Sequence, residues 1–322
     1  QQYHEYDALL RRYQALRVKE DLAETLYANL MIDYVNSKSE KREIAEKAAT
    51  YFQEIAPHLD TFDSFRLHLF GRLLQTAIYD NQNDHQKVVG LCASAIDFFD
   101  KKNYKSFSAL QVFYYSQLVG HLNLRQFDRC RAVTLKHRIL FQTGSYNWYK
   151  WEELHFLAEF NAGEYEAALA IWLYATDRVE FADLPPAIGE SWKIFEAYLL
   201  FLMRCKRLKE RKDGKRFRIA KIWNEIHFSN RDKSGMNIPI LIIQFLLALA
   251  DKEYGQCIDR EESLAKYRTR YLKPDNAARS HYFFKMLELI PKCDFNASIV
   301  KTNAAPLLEH LMKSSQKTAN QN

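Results

Sequence analysis

Apolar residues recur every three or four positions along almost the whole chain, and the breaks between the periodic stretches are only two to six residues long. This spacing puts apolar side chains on one face of an α-helix. With 9 Gly and 7 Pro in 322 residues, few positions would interrupt a helix. The sequence therefore predicts an all-α fold, without a convincing strand.

Fifteen helices follow from this periodicity. They are expected near residues 5–17, 20–36, 39–56, 62–80, 84–101, 106–122, 126–142, 148–161, 164–177, 187–210, 215–227, 236–250, 254–272, 276–290 and 296–313. Because the connections are short, consecutive helices must run antiparallel, and a string of helix pairs buries its apolar faces by stacking side by side. We expect one α-solenoid of about seven helix pairs over residues 1–313, followed by a flexible polar tail over 314–322.

One stretch of the chain combines a polar turn, an aromatic residue and small residues at helical spacing. It contains Gly163, Tyr165 and Ala168, followed by Trp172 and Ala175. This stretch resembles the tetratricopeptide repeat, in which the glycine lets two helices meet tightly, the aromatic residue packs on a neighbouring helix and the small residues permit close helix approach. The resemblance implies a tetratricopeptide-like array that works by binding other proteins.

Weaker copies of this pattern centre on His85, Phe127 and Tyr254. The steps are 42 residues from His85 to Phe127, 38 from Phe127 to Tyr165 and 89 from Tyr165 to Tyr254, and the last step fits two units of about 44. The usual tetratricopeptide repeat has about 34 residues. The repeats of this chain are therefore expected to be long and degenerate.

A second resemblance lies near the end of the chain. Residues 267–273 and 284–291, followed by Phe295, are similar to the tail of large uncharacterised helical-repeat proteins of Bacteroidetes. This resemblance implies no activity.

The positive charge of the chain is concentrated in residues 204–221, where ten Lys or Arg residues stand against two acidic residues for a net charge of +8. The whole chain carries only +6. The candidate anion-binding residues are Arg204, Lys206, Arg207, Lys209, Arg211 and Lys212. Three interpretations remain open for this basic segment: a solvated helix surface, a site for an acidic protein partner and a site for nucleic acid.

A candidate peptide-binding groove follows from aligning the repeats, because the first helices of tetratricopeptide pairs line a concave surface. The candidate groove residues are Asn81, Tyr115, Asn123, Lys150 and Asn161, with Glu153 on the same face. The three asparagines stand at equivalent positions near the ends of first helices and could hold the backbone of an extended peptide. Asn is equally common at helix ends, because it tolerates left-handed backbone geometry.

An unusually aromatic cluster lies at and after the start of the helix expected over 148–161. Its members are Tyr146, Trp148, Tyr149, Trp151, Phe156 and Phe160. Such rings fill the seam between repeats in helical arrays, or they form a cage around a ligand. Joint exposure of the two tryptophans would favour the cage.

The sequence contains no glycine-rich phosphate loop, no G-x-S-x-G elbow and no H-E-x-x-H motif. Arg131 and His137 have a spacing similar to that of a ribonuclease motif of HEPN domains, but a chain of this composition matches it by chance, and His137 is expected to be exposed. Glu152 and Glu153 are neighbours on a helix and cannot act as a paired acid and base. We expect no catalytic residue.

Metal and thiol chemistry have little support in the sequence. The densest group of potential ligands spans His58 to His68, with Asp60 and Asp63 between them, but its spacing is irregular and Asp63 is a natural helix cap. The five cysteines show no paired C-x-x-C spacing, which indicates free buried thiols in a reducing compartment. No metal and no cofactor are expected.

These features predict a non-enzymatic, cytoplasmic scaffold for a protein or peptide partner. The chain starts at Gln1 without Met, a basic n-region or an apolar h-region, which indicates a fragment or a processed chain. We expect the scaffold to be the docking or sensory part of a larger chain. The longest apolar run, over residues 238–250, is too short for a membrane span of about 20 residues. The alternative is a regulatory protein that binds nucleic acid or another polyanion through residues 204–221. The oligomeric state is left open.

Overall fold

The computed structural model describes residues 2–36, 41–102, 107–209, 237–272 and 274–320. Within these ranges it contains thirteen α-helices, two short 3-10 helices and no strand, so the all-α prediction is confirmed. The helices are α1 (Gln2–Asn36), α2 (Lys41–Leu59), α3 (Phe65–Asn81), α4 (His85–Asp100), α5 (Phe107–Asn123), α6 (Phe127–His137), α7 (Tyr146–Ala162), α8 (Tyr165–Thr176), α9 (Pro186–Arg204), α10 (Asn237–Ala250), α11 (Tyr254–Tyr271), α12 (Pro274–Lys292) and α13 (Ala297–Asn320). The 3-10 helices are Arg138–Leu140 and Val179–Asp183.

The chain divides into two compact units, residues 1–158 (unit 1) and 159–322 (unit 2). In unit 1, α1 packs on α2 and α3, and each helix from α2 to α5 packs on the next. In unit 2, each helix from α8 to α12 packs on the next described helix. This sequential packing of helix on neighbouring helix is the solenoid-like arrangement that the sequence predicts. The single continuous array over 1–313 stays a prediction.

The same turn follows six helices of the described chain. Its key residues have positive φ and are Asn83 (57°), Arg125 (58°), Gly163 (86°), Lys206 (57°), Lys252 (60°) and Asp294 (50°). Around Arg125, its own N–H donates to the Leu122 carbonyl at 3.0 Å, and the Gln126 N–H donates to the His121 carbonyl at 2.9 Å. This pair of hydrogen bonds is the Schellman motif, which satisfies carbonyls at a helix end.

These turns give the repeat length of the molecule. The steps from one positive-φ residue to the next are 42, 38, 43, 46 and 42 residues. The turn at Lys206 thus divides the long step of the sequence pattern into two units, as expected. The four residues on which the predicted copies centre are the first residues of α4, α6, α8 and α11.

Each unit has its own apolar core. In unit 1, Leu30 of α1, Ile55 of α2 and Leu67 of α3 are fully buried in one cluster. Where α5 crosses α4, a Cβ added to Gly120 would lie 2.7 Å from Cγ2 of Val89, so this contact requires glycine. In unit 2, helices α10, α11 and α12 share a cluster that includes buried Phe245, Leu264 and Phe284.

Several predicted helix boundaries differ from the structure. The helices expected over 126–142 and 187–210 end earlier, at His137 and Arg204. The break expected at residues 18–19 is wrong, because α1 is one continuous helix, and its 35 residues contain no Gly or Pro that would end it. At the other end of the chain, α13 runs to Asn320, beyond the expected array end at residue 313. The helix predicted over 215–227 lies outside the described residues.

Candidate functional site

Two adjoining cavities open along the alternate helices α1, α3, α5 and α7 of unit 1. The first, of about 230 Å³, lies between α1, α3 and α5 and is called here the α1–α3–α5 cavity. The second, of about 310 Å³, lies beside α5 and the start of α7 and is called the α5–α7 cavity. Val112, Tyr115 and Ser116 of α5 line both cavities, so the two share one wall.

The α1–α3–α5 cavity is lined mainly by apolar and aromatic side chains. Tyr27 and Tyr34 come from α1, and Leu73 comes from α3. Burial raises the pKa of Tyr27 above its usual value, so its hydroxyl stays neutral at physiological pH. Asp80 and Asn81 give this cavity a polar edge at the end of α3.

The α5–α7 cavity carries an ion pair at its edge. Lys150 lines the cavity, and its Nζ lies 2.6 Å from Oε2 of Glu153. Burial alone would lower the pKa of Lys150, but the hydrogen bond and charge of Glu153, with smaller contributions from Tyr115 and Tyr146, raise it overall. The ammonium group is therefore charged at neutral pH and already neutralised by Glu153.

The three aligned asparagines occupy equivalent places, each two residues before the positive-φ residue of its turn. Asn81 is buried, and its Nδ2 donates to the Ala77 carbonyl at 2.8 Å. Asn123 is exposed, and its Nδ2 donates to the Val119 carbonyl at 2.9 Å. These two bonds to the last turn of their own helices favour the helix-end interpretation, although the left-handed geometry falls two residues later.

The structure brings together three of the five candidate groove residues. Tyr115 stands between the two cavities, Asn81 lines the first and Lys150 lines the second. Asn123 lines neither cavity, and Asn161 is exposed at the end of α7 in unit 2. The groove in unit 1 is therefore built from the middle of α5, the end of α3 and the start of α7, and it does not reach the end of α5 at Asn123.

The aromatic cluster of α7 is divided between the core and the groove. Trp148, Tyr149 and Trp151 are completely buried, which confirms the core interpretation for these three rings. Phe141 stacks on Trp151 with ring centroids 4.4 Å apart. Tyr146, in contrast, is 54% exposed and lines the α5–α7 cavity.

A buried charge network lies beside these rings and was missed in the sequence. Glu152 is completely buried, with its Oε1 2.7 Å from Nε of Arg138 and its Oε2 3.3 Å from Nδ1 of His155. The (i, i+3) spacing of Glu152 and His155 is a sequence signal for one contact. No local signal could identify Arg138, because it belongs to a separate 3-10 helix.

The described part of the basic segment is exposed at the turn after α9. Lys206, Arg207 and Lys209 are exposed, whereas Nε of Arg204 lies 3.2 Å from Oδ1 of Asp251. Arg211 and Lys212 lie outside the described residues.

The HEPN-like histidine is not in the predicted environment. His137 is half-buried and stacks on Tyr114 with ring centroids 3.6 Å apart, so its expected exposure is wrong. Burial, together with Lys136, lowers the pKa of His137, which keeps the imidazole neutral at physiological pH. The ring therefore packs between helices as an aromatic group.

The remaining candidate groups serve as structural contacts. In the part of the chain that the structure describes, no group of three His, Cys, Asp or Glu side chains could hold a metal ion. Asp63 pairs with Lys102, and Ser64 rather than Asp63 caps α3. All five cysteines are free, and four are buried as expected, but Cys205 is exposed. Burial raises the pKa of Cys92 to about 12.

Among the described residues, no helix combines the length and apolar character that a membrane span requires. Comparison of the chain with protein-family models, with curated proteins and with solved structures finds no match in any of the three.

Proposed function

We propose that this chain is a non-enzymatic, tetratricopeptide-like scaffold that holds an extended segment of a partner protein along α1, α3, α5 and α7. The observation that carries this proposal is the pair of adjoining cavities with a shared wall at Val112, Tyr115 and Ser116. An extended peptide projects side chains at regular intervals, so consecutive cavities suit it better than they suit one compact ligand. Within the cytoplasm, such a scaffold would act as the docking or sensory part of a larger assembly.

The chemistry of the groove indicates what the segment carries. Apolar and aromatic side chains, chiefly tyrosine and valine, form most of the cavity walls, and Lys150 is neutralised by Glu153. Asn81 is bonded to its own helix. Apolar or aromatic side chains of the partner would therefore supply most of the binding energy, with the polar edges fixing its direction.

Selection from a displayed library of random twelve-residue peptides tests this function. The bait is the whole chain, and the blocked variant is Ser116→Trp, whose indole would fill space that both cavities share. Ser298→Trp places the same side chain on an exposed position of α13 and serves as the control. We expect enriched apolar peptides that bind the wild type and Ser298→Trp equally, but bind Ser116→Trp at least about tenfold more weakly. Equal binding to all three proteins would contradict the groove.

A second candidate function rests on the exposure of Lys206, Arg207 and Lys209 at one turn. Three exposed cations next to a segment rich in Lys and Arg could hold the phosphates of a nucleic acid. Binding of a single-stranded RNA or DNA probe should then weaken steeply as salt rises and be lost when Arg207, Lys209, Arg211 and Lys212 are changed to Glu. Binding that does not respond to salt, or no binding at low salt, would eliminate this candidate.

A further inference from the structure

The first half of α1 presents a long apolar face to solvent. Tyr3, Tyr6, Leu9, Leu10 and Tyr13 are between 48% and 78% exposed, although they recur at helical spacing. In the second half of the same helix, Ala23, Leu26 and Leu30 are buried against α2 and α3. An exposed face of several large side chains on an otherwise packed helix marks an interaction surface.

The apolar positions of this face are symmetric about a point between residues 9 and 10. Leu9 and Leu10 flank that point, Tyr6 and Tyr13 lie at equal distances from it, and so do Tyr3 and half-buried Leu16. A two-fold axis perpendicular to the helix at that point would bring each residue opposite its counterpart in a second copy. Such an interface is isologous, because the same patch serves both subunits.

The charges on this half of α1 distinguish antiparallel from parallel pairing. Acidic Glu5 and Asp7 precede the midpoint, and basic Arg11 and Arg12 follow it. Glu5 and Arg12 are seven residues apart, so they lie on the same edge of the apolar face. Antiparallel pairing places Glu5 of each copy near Arg12 of the other, whereas parallel pairing brings the acidic ends together.

We propose that residues 2–18 of α1 form an antiparallel, two-fold symmetric contact with the same residues of a second copy of this chain. The three pairs that surround the midpoint form its apolar centre, and the Glu5 and Arg12 side chains of the two copies flank it. The contact uses none of the residues that line the groove cavities.

Sedimentation equilibrium of the whole chain at low micromolar to about 100 µM concentration tests the contact, a range that covers the affinities of weak dimers. We expect a reversible dimer that is weakened at least about tenfold by Leu10→Asp, because the two introduced carboxylates would face each other near the axis. Ile139→Asp, at a position 90% exposed in the 3-10 helix after α6, is the control and should dimerise like the wild type. Since both positions are exposed, neither variant should change the helical circular dichroism signal.

A charge exchange tests the antiparallel direction. Arg12→Glu alone should weaken the dimer, because it would place a carboxylate at position 12 beside Glu5 of the other copy, and adding Glu5→Arg should restore the dimer. A wild-type chain that stays monomeric up to about 100 µM would overturn the proposal, as would a dimer that Leu10→Asp does not weaken. Failure of the double variant to recover would overturn the antiparallel arrangement.

Discussion

Helix α7 has one buried face and one face that lines an open cavity, although aromatic residues occur on both. On one face, Trp148 and Trp151 are completely buried, and Phe141 stacks on Trp151. On the other, Tyr146 and Lys150 line an open cavity. The difference shows that in a helical array the type of side chain does not separate core from groove. The side of the helix on which a residue stands decides it, because Tyr146 and Trp148 belong to the same turn of α7 and yet only Trp148 is buried.

The sharpest test of this contrast removes one ring from each face. Trp151→Ala should lower the free energy of unfolding by about 3–5 kcal/mol, because a large buried side chain is lost and a cavity remains. Tyr146→Ala should lower it by less than about 1 kcal/mol, because that side chain is already half in solvent. Urea denaturation followed by circular dichroism measures both. Equal losses would show that Tyr146 is part of the core.

Removal of a cation should also lower the free energy of unfolding more on the buried face of α7 than on the cavity face. Arg138→Met leaves the buried Glu152 carboxylate without that guanidinium group and should cost about 3 kcal/mol. Lys150→Met removes the ion pair with Glu153, whose side chain is 13% exposed at the edge of the open cavity, and should cost only about 1 kcal/mol. The two substitutions replace a cation by the same side chain, so their denaturation midpoints compare directly. A smaller loss for Arg138→Met would contradict the structural role of the network.

The smallest expected effects concern the turns that end α5 and α7. Gly163→Ala should destabilise the chain by about 1–2 kcal/mol, because alanine is strained at a φ of 86°. Arg125→Gly should stabilise it by about 0.5–1 kcal/mol, because φ is 58° there and glycine adopts it without strain. Thermal unfolding of the two variants should shift in opposite directions. Shifts of the same sign would indicate that the two turns are not equivalent.

The sequence predicted the helices and most repeat starts, because these depend on local patterns. Four turns were recognised from the residue that begins the helix after the turn, which is His85, Phe127, Tyr165 or Tyr254. The two other turns, at Lys206 and Asp294, were not recognised as repeat turns. The residue two positions after each of them is Leu208 or Asn296, where the recognised copies have an aromatic residue or histidine. Their hydrogen bonds are backbone bonds, which leave little trace in the side chains.

The groove was predicted less completely, because it depends on contacts between distant helices. Alignment of the repeats placed Tyr115 and Lys150 on the cavity-lining face. It did not separate buried Asn81 from exposed Asn123, because these equivalent residues differ only in their surroundings. The contribution of α1 was also missed, since Tyr27 and Tyr34 belong to a part of the chain without a recognisable repeat signal.

The most direct test of the groove is site-specific crosslinking to the tightest peptide from the library. A photoreactive benzoylphenylalanine replaces Val112, which lines both cavities and is 42% exposed, or Leu135, which is 62% exposed on α6. We predict that the peptide crosslinks at position 112 and not at position 135, and that an excess of unlabelled peptide prevents the reaction. Crosslinking at position 135 with none at position 112 would show that the partner binds a different surface.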